Sequence, residues 1–312
     1  VDRLKVLTGN SNRALAEKIV DNLHIPLTPV ECSRFSDGEI FVKIGESIRG
    51  SDVFIIQSTN KPVNDNMMEL LLLIDAAKRA SAKSVTAVVP YYGYARQDRK
   101  VEPRVPISAK MVANLLESVS LDRLVTIDIH SNQIQGFFNI PVDNIYAAPI
   151  ILNYVRELAI EDLVVVSPDA GGTHRARSFS AQLNAGLAII DKRRPQANKS
   201  VVMNVIGDVD GKNCLIIDDL IDTGGTIINA ASALRERGAR DVYCVCTHPV
   251  FSDNALDRLI QAEFKKIIFT DTIPLKRESL PQTEQLEILS VADLLSEVIR
   301  RIHFGSSLEG IF

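Results

Sequence analysis

Three aspartates, Asp218, Asp219 and Asp222, fall within five residues, directly ahead of Thr223-Gly-Gly-Thr226 in the stretch CLIIDDLIDTGGT (214–226). That grouping suits one kind of ligand. The apolar run Leu215–Ile217 reads as a strand, so the acids stand at its carboxyl end, where open α/β sheets bind ligands. Gly224 and Gly225 let the backbone come close to a ligand and expose successive N–H groups. A helix opening at Thr226 adds donors and the positive end of its dipole, which suits a phosphate. Thr223 and Thr226 add hydroxyls. The carboxylates repel a phosphate; they suit hydrogen bonds from sugar hydroxyls, or coordination of Mg2+. Phosphate plus vicinal hydroxyls describes a ribose phosphate. A strand-to-helix turn with a capping Asp or Thr is the bland explanation, but three acids exceed what a cap needs. Neither GxxxxGK[ST] nor GxGxxG occurs, so neither a Walker loop nor a dinucleotide fingerprint competes.

Other groups could serve the same chemistry. Arg96, Arg99, Lys100 and Arg104 crowd into nine residues after the strand-like Val85–Val89 and the compact turn PYYGY. A solvated loop is their ordinary reading; placed at a strand's carboxyl end, Arg can grip phosphate oxygens through paired donors. FSDGE (35–39) sets an aromatic ring and two acids around Gly38; blandly, it is a polar turn entering a strand over Ile40–Ile44. His130 follows Asp128 at the end of Leu124–Ile127, and Asp169 precedes Ala170-Gly171-Gly172 and a helical pattern over Thr173–Leu183. Both acids and the histidine therefore lie at strand ends, where a polyphosphate would bring a metal. Imidazole is a poor direct ligand for Mg2+ and reaches it more easily through its hydration shell. Lys192 and Arg194 open a polar, Pro-containing loop over 192–200, as Asp98–Pro106 forms another.

Short apolar runs alternating with amphipathic stretches must position these residues. Strands are expected at Leu4–Thr8, Asp52–Gln57, Ser84–Val89 and Arg123–Ile127, then at Leu163–Ser167, Ala188–Asp191, Asn213–Asp218, Asp241–Thr247 and Lys266–Thr270. Helices are expected at Asn12–Leu23, Asn64–Arg79 and Thr226–Arg237, the last stopped by Gly238. Continuous Val/Ile runs followed by helices indicate parallel strands buried on both faces. The rhythm occurs in both halves of the 312 residues, with a join near Asn144–Ala148. Two similar α/β domains follow, over 1–146 and 147–312. Composition agrees: 46% hydrophobic and 24% charged residues describe a globular chain, and a net charge of −4 argues against a nucleic-acid binder. The longest apolar runs, such as Leu70–Ile74, are too short to span a bilayer. Cys32, Cys214, Cys244 and Cys246 form no CxxC pair; reduced thiols and a cytoplasmic location are expected. The start, VDRLKVLTG, leads straight into a strand with no signal-peptide pattern.

At the DDLIDTGGT loop the chain resembles the phosphoribosyltransferase superfamily. Over residues 3–312 it is similar to the ribose-phosphate pyrophosphokinase (phosphoribosyl pyrophosphate synthetase) family, through FSDGE (35–39), YYGYARQDRK (91–100), DIHSNQIQGFF (128–138), PVDN (141–144), VVSPDAGG (165–172), DKRRP (191–195) and DDLIDTGGT (218–226) in order. The resemblance implies two phosphoribosyltransferase-like domains, each a mainly parallel sheet flanked by helices: an ATP-side domain and a ribose-5-phosphate-binding domain, with the last helix and tail packing back on the first. It implies transfer of the β,γ-pyrophosphoryl group of Mg2+-ATP to the 1-hydroxyl of ribose 5-phosphate, with AMP leaving. By resemblance, Phe35, Asp37, Gly38, Glu39, Arg96 and Gln97 bind ATP, the FSDGE loop serving a neighbouring subunit. Asp37 and Glu39 would hydrogen-bond adenine, whose exocyclic amino group is replaced by a carbonyl in guanine. Asp218, Asp222, Thr223, Gly224, Gly225, Thr226 and Arg194 bind ribose 5-phosphate, His130 and Asp169 serve Mg2+, and Lys192 and Arg194 are catalytic. After DRK, VEPRVPI departs from the family pattern, so no role is carried onto Arg99, Lys100 or Arg104. The resemblance further implies a homo-oligomer of dimers assembling to a hexamer, inhibited by ADP and activated by inorganic phosphate, with no nucleic-acid or membrane partner.

Two other classes share some of these features. A phosphoribosyltransferase uses the same loop but is shorter and lacks FSDGE and YARQD. A non-catalytic, nucleotide-binding regulatory relative would have lost the cations of the 192–194 segment, which are present here.

Overall fold

The computed structural model of the chain describes residues 3–193, 202–275, 281 and 283–311. The chain divides into two compact units, one comprising Val1–Tyr146, Thr272–Leu275 and Ser290–Phe312, the other Ala147–Asp271 and Lys276–Leu289.

The first unit is built on β1 (Leu4–Thr8), α1 (Arg13–Leu23), the hairpin strands β2 (Val30–Arg34) and β3 (Ile40–Ile44), β4 (Asp52–Ile56), α2 (Val63–Arg79), β5 (Ser84–Val89), α3 (Ser108–Ser118), β6 (Arg123–Ile127), a 3-10 segment (Asn132–Phe137) and β7 (Val142–Ile145). Its main sheet runs β1-β4-β5-β6-β7, every pairing parallel. Alternation along β4 sends Val53 and Ile55 to one face and Phe54 and Ile56 to the other, and all four are buried. Both faces are therefore covered, which is why an unbroken apolar run marks the strand. On one face lie α2, through Met67, Leu70, Leu73, Ile74 and Ala77, and α3, through Ala109, Val112, Ala113 and Leu116. The charges of α2 suit its dipole, with Asp65 in the first turn and Lys78 and Arg79 in the last. The Asn12 side chain caps α1 by accepting from the Leu15 N–H. The C-terminal helix α8 (Ala292–Phe304) belongs to this unit and packs on α1. Asn22 donates to Asp293 at 2.6 Å, and His303 Nδ1 lies 3.0 Å from Asp52 Oδ2.

The turn after β5 is tight. Gly93 donates its N–H to Thr59 Oγ1 at 2.6 Å, and a methyl group there would run into the Thr59 carbonyl oxygen. Gly93→Ala is expected to destabilise the protein by roughly 1–3 kcal/mol, as overpacking does. A Tm equal to that of the wild type would contradict it.

The second unit contains α4 (Ala148–Glu157), β8 (Leu163–Ser167), α5 (Thr173–Leu183), β9 (Gly186–Arg193), β10 (Val202–Ile206), β11 (Asn213–Ile221), α6 (Gly225–Glu236), β12 (Val242–Pro249), α7 (Ala255–Gln261), β13 (Ile267–Thr270) and β14 (Leu286–Leu289). The sheet order is β10-β9-β8-β11-β12-β13-β14, parallel throughout except for the β9–β10 pairing. Both units therefore have the α/β architecture of mainly parallel sheets flanked by helices. Several boundaries shift by a residue or two from the sequence expectation, and two of the shifts bear on the site. β9 runs on through Lys192 and Arg193, because Lys192 pairs with Met203 and Arg193 with Val202 in β10; Lys192 is thus on a strand, not in a loop. β11 passes Asp218 and continues to Ile221, because β12 offers partners as far as Pro249.

Candidate functional site

The order of the second sheet reverses at β8 and β11. The chain goes from β8 outward to β9 and β10, then returns to place β11 on the other side of β8. In open α/β sheets such a switch point opens a crevice at the strands' carboxyl ends. Here the opening is explicit. β11 pairs with β8 only up to Ile216↔Val166, while its pairing with β12 goes on to Ile221↔Pro249. Residues 217–221 therefore lack a strand neighbour on the β8 side, and Asp218 and Asp219 lie there.

Three carboxylates and one guanidinium gather at this opening. Arg175 of α5 places Nη1 3.1 Å from Asp219 Oδ1 and 3.5 Å from Asp218 Oδ1. Asp218 Oδ1 also accepts the Asp219 N–H at 2.9 Å. Asp169, just past β8, accepts the Gly172 N–H on Oδ1 at 3.0 Å, and Ser167 Oγ donates to its carbonyl at 2.6 Å. Burial pushes the Asp218 carboxyl well above the ordinary range; the neighbouring Asp219 charge adds to this and Asp169 adds further, against the opposing pull of Arg175. Carboxylates grouped at such an opening suit donors or a cation from a ligand. Arg175 was not singled out from the sequence. Its signal was available: a cation in the first turn of a helix opposes the dipole, and such a placement suggests a specific anionic partner.

The predicted phosphate loop follows directly. Asp222 leads into a turn in which Gly224 has φ 76°, and Gly225 begins α6. The N-cap position is taken by Gly224, which has no side chain to cap with. First-turn N–H groups at a dipole's positive end are suited to an anion. Thr223 and Thr226 are exposed on either side of the buried Gly224 and half-buried Gly225.

The nucleotide-side residues lie on separate elements of the first unit. Phe35, Asp37, Gly38 and Glu39 occupy the tip of the β2–β3 hairpin, closed by Phe35 N–H to Glu39 O at 2.9 Å and Glu39 N–H to Asp37 Oδ1 at 3.1 Å, with Gly38 at φ 96°. Phe35 packs edge-on to Phe41 yet stays 55% exposed, leaving a ring face for a planar base. Arg34 ties the hairpin to α2 through Asp65 at 2.9 Å. Arg96 and Gln97 follow β5, where Gln97 Oε1 accepts from Ser108 Oγ of α3 at 2.5 Å. His130 is exposed after β6, and Gln133 Nε2 reaches Asp98 Oδ2 at 2.8 Å. The predicted Arg96–Gln97 and His130 loops are thereby joined at the ends of two adjacent strands. The backbone of Lys192 lies on β9 beyond the last β8 partner, Ser167↔Ile189. Arg194 lies outside the described residues.

Among the described residues no group of three or more His, Cys, Asp or Glu gathers around a position suited to a metal ion. Mg2+ in phosphoryl-transfer sites is held by one or two carboxylates and by the substrate's own phosphates. Asp169, half-buried at the end of β8, carries a carboxylate of that kind.

Residues 4–119 match the family described as the N-terminal domain of ribose phosphate pyrophosphokinase, and residues 193–312 match the phosphoribosyl synthetase-associated domain. The chain is 54% identical to the ribose-phosphate pyrophosphokinase of Burkholderia pseudomallei over 312 residues, covering 100% of this chain and 98% of that protein. It is 53% identical to the one from Caldanaerobacter subterraneus, covering 99% and 98%. The crystal structure of phosphoribosylpyrophosphate synthetase from Mycobacterium smegmatis superposes with a TM-score of 0.92 at 43% identity, covering 97% of this chain and 100% of that one.

Proposed function

The chain belongs to the ribose-phosphate pyrophosphokinase family, and we propose that it transfers the β,γ-pyrophosphoryl group of Mg2+-ATP to ribose 5-phosphate for nucleotide biosynthesis. The 1-hydroxyl oxygen of the sugar attacks the β-phosphorus. The bond from that phosphorus to the α,β-bridging oxygen breaks, AMP leaves with the oxygen, the hydroxyl proton passes to solvent, and 5-phosphoribosyl 1-pyrophosphate forms. The observation that carries this reading is the acid pair Asp218–Asp219 beside the glycine-led start of α6, at the point where the sheet order reverses.

In this reading Thr223, Gly224, Gly225 and Thr226 bind the 5-phosphate with N–H and hydroxyl donors. Asp218 and Asp222 accept from sugar hydroxyls. The exposed Phe35 ring stacks on adenine, and Asp37 and Glu39 accept from its amino group. The exposed hairpin suits service to a neighbouring subunit's nucleotide. Arg96 and Gln97 hold the polyphosphate. Asp169 and, through water, His130 would hold Mg2+, whose chemistry is to neutralise charge on the phosphate oxygens. Lys192 and Arg194 stabilise charge on the transferring group, since phosphoryl transfer depends mainly on alignment and electrostatics. A cytoplasmic hexamer built from dimers, inhibited by ADP and activated by inorganic phosphate, completes the proposal. Among the described residues no helix is long and apolar enough to cross a membrane.

The test is product identity. With Mg2+, ATP and ribose 5-phosphate, AMP is expected in equal amount to phosphoribosyl pyrophosphate, and none forms when Mg2+ is chelated. ADP as the product would mean ordinary γ-phosphoryl transfer and would refute the reading.

A further inference from the structure

β12 ends at Pro249, and a short connection leads to α7. That connection and the first turns of α7 meet three successive carbonyls of the phosphate turn. The Phe251 N–H donates to Ile221 O at 3.0 Å and the Ser252 N–H to Asp222 O at 3.1 Å. Arg258 Nη1 donates to Thr223 O at 3.0 Å. In a planar trans peptide the carbonyl and the following N–H point in opposite directions. Drawing the carbonyls of Ile221, Asp222 and Thr223 onto the connection therefore turns the N–H groups of Asp222, Thr223 and Gly224 away from it. Successive N–H groups sharing one side form an anion-binding concavity, here leading into the N-terminus of α6.

The connection is itself held in an unusual shape. Phe251 and Asp253 adopt φ 42° and 56°, in the left-handed region that a bulky side chain seldom enters. The Phe251 ring is fixed edge-on against Phe269 of β13 at 5.3 Å. Next to Arg258, Leu259 is buried and faces Gly224, whose added Cβ would lie 3.4 Å from Leu259 Cγ. Packing and hydrogen bonding thus seat the same segment on the same turn.

We propose that the Phe251–Arg258 segment is a positioning element for ribose 5-phosphate, with Arg258 as its side-chain member, turning the Gly224 N–H toward the 5-phosphate by holding the Thr223 carbonyl. The inference rests on the reading of Asp222–Thr226 as the ribose 5-phosphate site. Arg258 acts through the loop and not on the reacting atoms, so its loss is felt in substrate affinity.

Full-length Arg258→Ala, Arg258→Lys and Asp222→Ala proteins separate the possibilities. In Arg258→Ala the KM for ribose 5-phosphate is expected to rise about tenfold, the size of losing one charge-assisted hydrogen bond. The KM for ATP and the Tm should stay near the wild-type values. Arg258→Lys keeps the cation and a donor without the planar fork, and its KM should rise only about threefold. If the alanine variant fails to fold, the lysine variant decides alone: that rise supports the proposal, and no rise overturns it. The increase should persist at high salt; one that vanishes there would mean simple attraction of the phosphate to a cation and overturn the positioning role. An unchanged KM in Arg258→Ala beside a raised KM in Asp222→Ala would overturn the proposal and leave the site standing. Unchanged values in both would remove the site reading, and the proposal with it.

Discussion

Replacing Lys192 with alanine is expected to lower kcat by about 10²–10³-fold or more, the scale of removing a group that stabilises transition-state charge. The Tm should barely move. The ladder that holds this part of β9, Lys192↔Met203 and Arg193↔Val202, is made by the backbone, and an alanine keeps every bond of it. A strand is also a better mount for a catalytic cation than a loop, because its ladder limits how far the Cα can wander. Charge shifts around the transferring β-phosphorus and onto the leaving bridging oxygen only as that bond breaks, so the loss should fall on kcat and leave KM for ATP within a few-fold. Rates of AMP release with a thermal melt on the same preparation check both halves. Near-normal turnover would take Lys192 out of the mechanism; a large fall in Tm would make it a residue of the fold.

How far the chain could be read beforehand depended on the physical signal each residue leaves in sequence. β1, β5, β6 and β8 occupy the expected residues because strands buried on both faces must be continuously apolar, and polar residues end them abruptly. That rule misplaces the end of β11. Asp218 and Asp219 look like a strand's end, yet the ladder with β12 carries the backbone on to Ile221; charge marked the opening beside β8, not the end of pairing. It misplaces Lys192 for the same reason, since a partner strand, β10, holds polar residues in extended form at a sheet edge. The DDLIDTGGT loop was legible because its chemistry is contiguous. Arg175 and Arg258 were not, being 43 and 35 residues from their partners Asp218 and Thr223. Only the sheet order brings α5 and α7 to the two sides of one loop, and no spacing rule encodes that. The exposed hairpin tip lies between these cases: FSDGE announces a turn, while the 55% exposure of Phe35 emerges only once the strands on either side are paired.

Asp218→Asn should make the protein more stable and a poorer enzyme, and the balance should depend on pH. Burial and the Asp219 charge raise the Asp218 carboxyl above its unfolded value, which is about 4. The folded state therefore binds this proton more tightly than the unfolded state. The stability tied to that proton is fully present below the unfolded value and is lost as pH rises through the raised folded value. Above the unfolded value Asp218 consequently works against folding, first by holding a proton that the unfolded carboxyl gives up and, at alkaline pH, by burying a charge. An amide removes the charge and keeps an oxygen to accept the Asp219 N–H, which Asp218 Oδ1 accepts at 2.9 Å. The variant should melt roughly a few degrees higher at alkaline pH, with the gain shrinking to nothing below about pH 4. Its KM for ribose 5-phosphate should rise about tenfold, because an amide offers one acceptor where a carboxylate offers two and does so without charge. In the wild type, KM for ribose 5-phosphate should fall as pH rises through the raised value, since only the ionised form accepts freely from the sugar; in the variant that dependence should flatten. Melting curves and KM measured over the same pH range read both sides of the trade. A variant less stable than the wild type at alkaline pH would show that Arg175, 3.5 Å from Asp218, holds the ionised form more strongly than burial opposes it. The acid pair would then be a source of stability, not a cost carried for binding the sugar.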